Sequence, residues 1–480
     1  IISESIESRR SKVFLDCSSY RSLVALSPIR PTDSPIMKSV EVSETAKQIE
    51  ERLGINWSPT QKQAYLDSIK TVYLKRLETP YPIHDFFMAG TQKAQDEWDA
   101  YWEGKPLKDP RYNKGLRRKT KTIDHSQLQY IIEQDESVQF RDADTEELVM
   151  VVLRDFFPDE DMREAFTKIC LEVVDRRRND RREDPGQLCH FGYTCGSRHQ
   201  PELRLATCNK RLNTPARVEH ERQLNYRAQG MAGLGWNMLK SRLPDEIIQD
   251  YEDVIRRVGA PRMDMQRKEK NFSFPFHGKS VTFEGLDLPP PSGVCAINYS
   301  RFTHKENNGN RFFIACTTEA PADPTKGGNF YNASYGIMLK AATNTVTSWR
   351  PTDYHGTTLY EMVEGPKKRL GRARAGHEIR PDGGINTGFS FEVSKMIRNA
   401  VKQALKRKNA PPASSSASTS STSSTSSTSS AEEEIRVRQP PPSKKPRLRR
   451  HRQYAVNAAT ADDSDKHFSS GSDSDSDYVP

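Results

Sequence analysis

Residues 293–319 read GVCAINYSRFTHKENNGNRFFIACTTE, and this stretch decides the fold class. Two runs of alternating or aromatic-rich residues flank a segment rich in Asn and Gly, which is typical of two β-strands joined by a loop. Similar runs precede it (NFSFPF and KSVTFEGLDL) and follow it (NFYNASYGIMLK, TNTVTSW and GFSFEVS). Roughly seven or eight such strands within about 125 residues predict a β-sandwich or jelly roll. A helix at residues 394–408 is expected to follow the last strand.

The preceding part of the chain, residues 36–265, is predicted to be mainly helical. Ser58 and Pro59 supply a helix start, and apolar residues then recur at helical spacing from Leu66 to Leu77. The sequence TQKQAYLDSIKTVYLKRLE is therefore expected to form one amphipathic helix. Weaker helical patterns occupy residues 91–103, 145–156, 161–178 and 244–258.

Both ends of the chain lack the pattern of a packed domain. Residues 1–35 are expected to be a flexible segment. Residues 409–480 contain a long Ser/Thr tract with no apolar face, which predicts a disordered tail. Within this tail, a basic cluster begins at Lys444 and ends at Arg452. It is interpreted as a nuclear import signal or nucleic-acid patch, which predicts nuclear localisation, although a merely solvated run is the alternative.

Composition excludes some classes of protein and favours others. Hydrophobic residues make up 34% of the chain and charged residues 29%, and the mean hydropathy is -0.80, so part of the chain is expected not to fold. No apolar run approaches the roughly 20 residues that a membrane span needs. Seven cysteines at irregular spacing do not suit a disulfide framework. The net charge of +9 favours polyanionic partners.

Three residues of the β region form a candidate metal site. His304 is followed two residues later by Glu306, and His355 comes 51 residues after His304. Two histidines and one carboxylate on one face can hold a divalent iron and leave positions open for other ligands. The His-x-Glu pattern alone is weak, because a surface histidine beside a glutamate in a turn gives the same letters.

The wider sequence around these residues carries a resemblance. Residues 293–318, 327–359 and 388–394 together resemble the double-stranded β-helix of iron- and 2-oxoglutarate-dependent dioxygenases, and more narrowly the fungal branch of the TET/JBP family. In that branch a strand ends at a His-Lys-acid motif, which Asn-Asn follows. A strand with the motif GG-x-F then leads to an aromatic-Gly turn. The later motif His-Gly-Thr-(Ser/Thr)-Leu contains the second histidine ligand of the metal. His304, Glu306 and His355 fall on those positions.

Together with the helical pattern of residues 36–265, the resemblance indicates an α+β fold, with a helical N-terminal region packed on a double-stranded β-helix at residues 266–408. It also implies Fe(II) and 2-oxoglutarate as cofactors, and oxidation of a methyl group on a DNA base, 5-methylcytosine or N6-methyladenine. Such a base would have to be flipped out of the helix. Basic stretches at residues 111–121 and 367–374 are candidates for phosphate contacts. The alternatives are a non-catalytic nucleic-acid-binding or mobile-element-associated protein that retains this fold, and an oxygenase acting on protein or small molecules.

The chain departs from that family at two points. Glu306 stands where an aspartate is usual, and it is one methylene longer. The arginine that commonly binds the far carboxylate of 2-oxoglutarate, about ten residues beyond the second histidine, is missing, because Gly365 and Pro366 occupy that place. Arg301 and Arg350 are the alternatives for this role, although each could be an exposed strand residue.

A second group of potential ligands lies in LCHFGYTCGSRHQPELRLATC. It contains Cys189, Cys195, His199 and Cys208, with His190 next to the first cysteine. Three thiolates and one imidazole are a common ligand set for structural zinc. Unpaired thiols and a histidine satisfied by its neighbours are the alternative.

Overall fold

The computed structural model describes residues 45–103, 119–181, 184–197, 200–208, 212–264, 271–362 and 385–409. Several predictions fall outside these ranges: the two chain ends, His199, most of the basic stretch at 111–121 and the whole of 367–374. In the described ranges, no helix combines the length and apolar character needed to cross a bilayer.

The helices of the described residues begin mostly at side-chain caps. Thr45, Ser58 and Asp159, for example, each accept a hydrogen bond from the backbone N–H three residues on. The helices are α1 (Ala46–Arg52), α2 (Pro59–Asp67), α3 (Gln92–Trp102), α4 (Glu160–Arg176), α5 (Pro215–Arg242), α6 (Asp245–Val258) and α7 (Lys395–Asn409).

The strands are distributed over the whole described chain. They are β1 (Lys70–Leu74), β2 (Phe87–Ala89), β3 (Thr120–Thr122), β4 (Tyr130–Ile132), β5 (Val138–Asp142), β6 (Leu148–Leu153), β7 (Gln187–Ser197), β8 (Gln200–Leu205), β9 (Asn271–Phe276), β10 (Lys279–Glu284), β11 (Ser292–Ile297), β12 (Phe313–Glu319), β13 (Phe330–Asn332), β14 (Ile337–Leu339), β15 (Thr345–Trp349), β16 (His355–Thr357) and β17 (Thr387–Phe391).

Two sheets enclose the region of the candidate metal site. The larger sheet has nine strands in the order β1-β5-β6-β15-β12-β17-β11-β7-β8, and the smaller has the order β16-β13-β14-β4. An apolar cluster joins them, because residues of the larger sheet such as Phe140 and Trp349 pack with Ile337 and Leu339 of the smaller. This arrangement is consistent with the predicted jelly roll.

Helices cover the other face of the larger sheet. Helix α5 is buried on all sides along its second half, and its glycines let neighbours approach closely. A Cβ atom at Gly233 would lie 2.7 Å from the Phe272 ring, and one at Gly235 would lie 3.0 Å from Phe389. The core on this side therefore depends on small residues in α5, because any larger side chain would have to displace an aromatic ring.

Two helical predictions are wrong. The helix that starts at Ser58 ends at Asp67, and the residues predicted to continue it form β1 from Lys70, paired in parallel with β5. Residues predicted as helix at 145–156 form β6, in which all six side chains are buried. A continuous apolar run suits an interior strand of a covered sheet as well as a buried helix, and the β-branched valines favour the strand.

The other elements agree better with the sequence. Helices α3, α4, α6 and α7 lie at the predicted positions, whereas α5 was not predicted. Residues 36–265 are not as helical as expected, because β1, β5, β6, β7 and β8 join the same sheet as strands of the C-terminal region. The helical and β parts that the sequence predicts thus share one sheet.

Candidate metal centre

His304 and His355 lie side by side on neighbouring backbone segments. The backbone N–H of His304 donates to the carbonyl of His355 at 2.9 Å, and the N–H of His355 donates back at 2.8 Å. His355 begins β16, which pairs with β13. This reciprocal bridge fixes the spacing of two residues that are 51 positions apart in sequence.

The side chains of His304, Glu306 and His355 converge. One potential ligand atom from each lies within 4.8 Å of the others, and Nε2 of His304 is 3.3 Å from Oε1 of Glu306. The Nδ1 atoms contact backbone carbonyls, of Phe302 for His304 and of Asp353 for His355, both at 2.8 Å. A carbonyl can only accept, so Nδ1 carries the proton and Nε2 is free to bind a metal.

Electrostatics keep the three residues in the protonation states that a metal requires. Burial lowers the pKa of both imidazoles, and with the charge of Arg301 it brings that of His304 to about 3. Burial alone would raise the pKa of Glu306, but the contact with His304 and the charge of Arg301 outweigh it and hold the pKa well below its usual range. Neutral imidazoles and an ionised carboxylate are the metal-binding forms.

This donor set fits a divalent iron. Two imidazole nitrogens and one carboxylate oxygen are the ligands of non-haem Fe(II) sites, and binding on one side leaves other positions open. Throughout the described ranges, no other group of three or more His, Cys, Asp or Glu side chains converges in this way.

The two candidate arginines have different surroundings. Arg350 donates to Asp353 at 3.1 Å, to Glu147 at 3.0 Å and to the hydroxyl of Tyr335 at 2.6 Å, so its guanidinium is already engaged. Arg301 lies beside the centre, with Nη1 at 3.9 Å from Glu306 and 3.6 Å from Asp184.

Three buried donors without partners border the centre. These atoms are Nε of Arg301, Nε1 of Trp349 and Oγ of Ser390. The Trp349 ring lies 5.5 Å from the His355 ring, and Ser390 is on β17, which β12 separates from the Trp349 strand β15. A dicarboxylate supplies only acceptors, so these donors suit 2-oxoglutarate. Arg301 is the better candidate for its far carboxylate.

The predicted zinc ligands that the structure describes, Cys189, Cys195 and Cys208, do not converge as a three-ligand group. Cys189 and Cys195 are six residues apart on β7, and at about 3.3 Å per residue their backbones are about 20 Å apart. Cys189 is in the apolar core, while His190 on the opposite face contacts Asp180 at 2.9 Å. Cys208 is half-buried. The described residues at 189–208 therefore supply no four-ligand site.

Sequence reasoning missed several residues around the centre. Arg181 lies 3.7 Å from Glu306, and Asp184 accepts a hydrogen bond from Tyr299 at 2.8 Å. Both belong to the run RRRNDRRED, whose opposite charges nearly cancel and gave no sign of a site. Trp349 and Ser390 lay within predicted strands, but without the sheet order their direction could not be inferred.

No protein-family model matches the chain. Among curated proteins, a ribonuclease Z of Methanococcus maripaludis is 34% identical over 95 residues, which is 16% of this chain. The match covers 30% of the length of that relative.

Among solved structures, the chain is similar to NgTET1 in complex with 5mC DNA, at 12% identity over 58% of this chain and 89% of that chain, with a TM-score of 0.31. It is also similar to a Pseudomonas putida prolyl-4-hydroxylase, at 8% identity over 51% of this chain and 92% of that chain. A third similar structure is an oxidoreductase of the 2OG-Fe(II) oxygenase family from Burkholderia pseudomallei, at 11% identity over 51% of this chain and 84% of that chain. Both of these have a TM-score of 0.24.

Proposed function

We propose that this protein is an Fe(II)- and 2-oxoglutarate-dependent dioxygenase. The observation that carries the proposal is the convergence of His304, Glu306 and His355 within 4.8 Å, beside β16 of the four-stranded sheet. Iron with 2-oxoglutarate would supply an oxidant able to hydroxylate a C–H bond. The protein's part is to hold the metal on one side and to leave the other open.

The surrounding residues bind and orient what enters. Arg301 would pair with a carboxylate of 2-oxoglutarate, because its Nε has no partner in the described structure and its charge lies beside the metal ligands. Phe313, Phe330 and Trp349 form an aromatic wall next to His355. Such a wall limits water around the reacting atoms and strengthens the charged contacts within the site.

The substrate we propose is a methylated base in DNA, 5-methylcytosine or N6-methyladenine, in the nucleus. The sequence resemblance over about residues 290–395 supports this. A surface beside the metal ligands supports it as well. There, Lys305 lies 5.4 Å from the Tyr354 ring and Lys121 lies 4.7 Å from the Phe86 ring. Lysines beside aromatic rings suit a nucleic-acid strand, since they can contact phosphate while the rings stack on bases.

Salt dependence of DNA binding tests this surface. Each lysine that contacts a phosphate contributes about 0.9 to the slope of log affinity against log salt. Lys305→Ala and Lys121→Ala should each flatten the slope by about this amount. Lys168→Ala, on the exposed side of α4, is the control and should leave the slope unchanged. Equal slopes for all proteins would contradict a role for this surface.

A non-catalytic binding protein is the second candidate, and one observation favours it. Arg181 and Arg301 both approach Glu306, at 3.7 and 3.9 Å, so this carboxylate has cationic partners without a metal. Under this alternative, the three residues would form a polar cluster that maintains the fold.

Succinate release distinguishes the two candidates. Protein supplied with Fe(II), 2-oxoglutarate and methylated DNA should form succinate, and His304→Ala should abolish its formation. His220→Ala, which changes an imidazole on α5 outside the centre, is the matched control and should retain activity. Undetectable turnover in folded, iron-loaded parent protein would refute the enzymatic proposal. Turnover that methylated DNA does not stimulate would instead point to a protein or small-molecule substrate.

A further inference from the structure

Glu392 follows β17 directly and points toward the metal centre. The preceding residue, Phe391, lies against Trp236 of α5 on the helical side of the sheet, with ring centroids 5.8 Å apart. Successive side chains of an extended segment point to opposite faces. Glu392 therefore points to the other face, where the candidate metal ligands lie.

The strand register places Glu392 at the level of the metal. Ile314 pairs with Phe391, so in antiparallel order the next residues, Phe313 and Glu392, face each other. Phe313 in turn pairs with Trp349, whose ring is 5.5 Å from that of His355. Neighbouring strands are about 4.8 Å apart, so the backbone of Glu392 lies only about 10 Å from that of Trp349.

The carboxylate of Glu392 has no hydrogen bond or ion pair within the described structure, although nearby charges act on it. Burial raises its pKa, Glu306 adds to the rise, and His190 lowers it. His190 and Arg181 are engaged elsewhere, His190 with Asp180 at 2.9 Å and Arg181 with Glu306 at 3.7 Å. Glu392 is partly exposed, so a hydrogen-bond donor on a ligand can reach its carboxylate.

We propose that Glu392 accepts a hydrogen bond from an exocyclic amino group of the substrate base, and that it thereby selects an amino-bearing methylated base over a keto-bearing one. This inference rests on the proposed function. It concerns the choice of base and is separate from the metal ligands and from Arg301.

The chemistry of two bases makes the selection specific. 5-Methylcytosine and thymine carry the same methyl group at C5, so an oxidising centre that attacks the methyl cannot distinguish them by that group. They differ at C4, where cytosine has an amino donor and thymine a carbonyl acceptor. A carboxylate facing C4 attracts the first and repels the second. A site with an amide in this place could accept either.

The test compares single-stranded oligonucleotides that differ at one base, 5-methylcytosine or thymine, so that base pairing does not contribute. Binding is measured by fluorescence anisotropy without oxygen, and oxidation by mass spectrometry with oxygen. The parent protein should prefer 5-methylcytosine by about 10-fold or more. Glu392→Gln should bring the ratio close to one or invert it, because the amide can donate to O4 of thymine. Glu284→Gln, at the exposed end of β10, should keep the parent ratio.

Each outcome is decisive, since a ratio within one variant is independent of how much of it is folded. An unchanged ratio in Glu392→Gln would overturn the inference. So would a loss of 2-oxoglutarate binding by this variant with the ratio intact, because Glu392 would then serve the cosubstrate. If neither oligonucleotide binds or is oxidised by the parent while succinate still forms, the proposed DNA substrate fails, and this inference fails with it.

Discussion

The two arginines near the centre should respond oppositely to removal of their charge. Arg350 is only 10% exposed, and its partner Asp353 is 2% exposed. Arg350→Met would leave Asp353 with Arg76 as its ion-pair partner, and Arg76 is 48% exposed. Breaking a buried ion pair costs about 3–5 kcal/mol. Because Asp353 would keep Arg76 as a partner, we place the cost of Arg350→Met at the lower end of this range. We expect the free energy of unfolding to fall by about 3 kcal/mol.

Arg301→Met should affect stability less and cosubstrate binding more. Its ion pairs are long, at 3.6 and 3.9 Å, and Asp184 keeps the hydrogen bond from Tyr299. The loss of stability should be smaller than that of Arg350→Met, because these contacts are longer than those that Arg350 makes with Glu147 and Asp353. The affinity for 2-oxoglutarate should fall by about 10-fold or more, because a charged hydrogen bond contributes about 1.5–3 kcal/mol.

Urea unfolding measures the free energy of unfolding of each variant. Calorimetric titration with 2-oxoglutarate, in protein loaded with Mn(II) and kept free of oxygen, measures the affinity for the cosubstrate. The reasoning would be refuted if Arg350→Met unfolded like the parent but no longer bound 2-oxoglutarate. In that case Arg350 would be the anchor, and the contacts with Glu147, Asp353 and Tyr335 would be incidental.

Three further predictions concern the metal, the acid stability and the tail. His355→Ala should bind Mn(II) far more weakly than the parent in an equilibrium dialysis measurement, because one of three protein ligands is lost. A hydrogen bond from Tyr335 lowers the pKa of Asp142 to about 2 in the folded protein, from 3.8 in the unfolded chain. The ionised carboxylate therefore stabilises the fold fully above pH 3.8, and this contribution is lost as the pH falls through about 2. Asp142→Asn should therefore cost about 2 kcal/mol at pH 7 and almost nothing below pH 2, as urea unfolding at both pH values can show. Truncation after residue 410 should remove nuclear accumulation of a fluorescent fusion and flatten the salt slope of DNA binding, while turnover at saturating DNA stays unchanged.

The C-terminal strands were predictable because their turns are punctuated by Gly, Pro and Asn. The pattern failed where burial is complete. In LVMVVL at β6, both faces are covered, so no period of two is visible and the run fits either element. Helix α5 has the opposite problem, because Gly230, Gly233 and Gly235 lower its helical propensity, and only packing against Phe272 and Phe389 makes them useful.

The candidate site was predictable in part. His304, Glu306 and His355 could be proposed because the letters around them resemble a known family, and the structure brings them together. Glu392 could not be inferred, since its direction depends on the register between β12 and β17. Arg350 could not be separated from Arg301, because its partner Glu147 is 203 residues away in sequence.

The nine-stranded sheet has a practical consequence for anyone who wishes to isolate the centre. The strands that surround the metal ligands are bordered by β6 on one side and β7 on the other, and both come from earlier in the chain. A fragment starting at residue 266 would leave β15 and β11 as exposed edge strands with unpaired backbone hydrogen-bonding groups. Edge strands of this kind pair with strands of other chains, so the fragment should aggregate. Residues 138–153 and 187–205 therefore protect the edges of β15 and β11, and a soluble minimal protein must retain them.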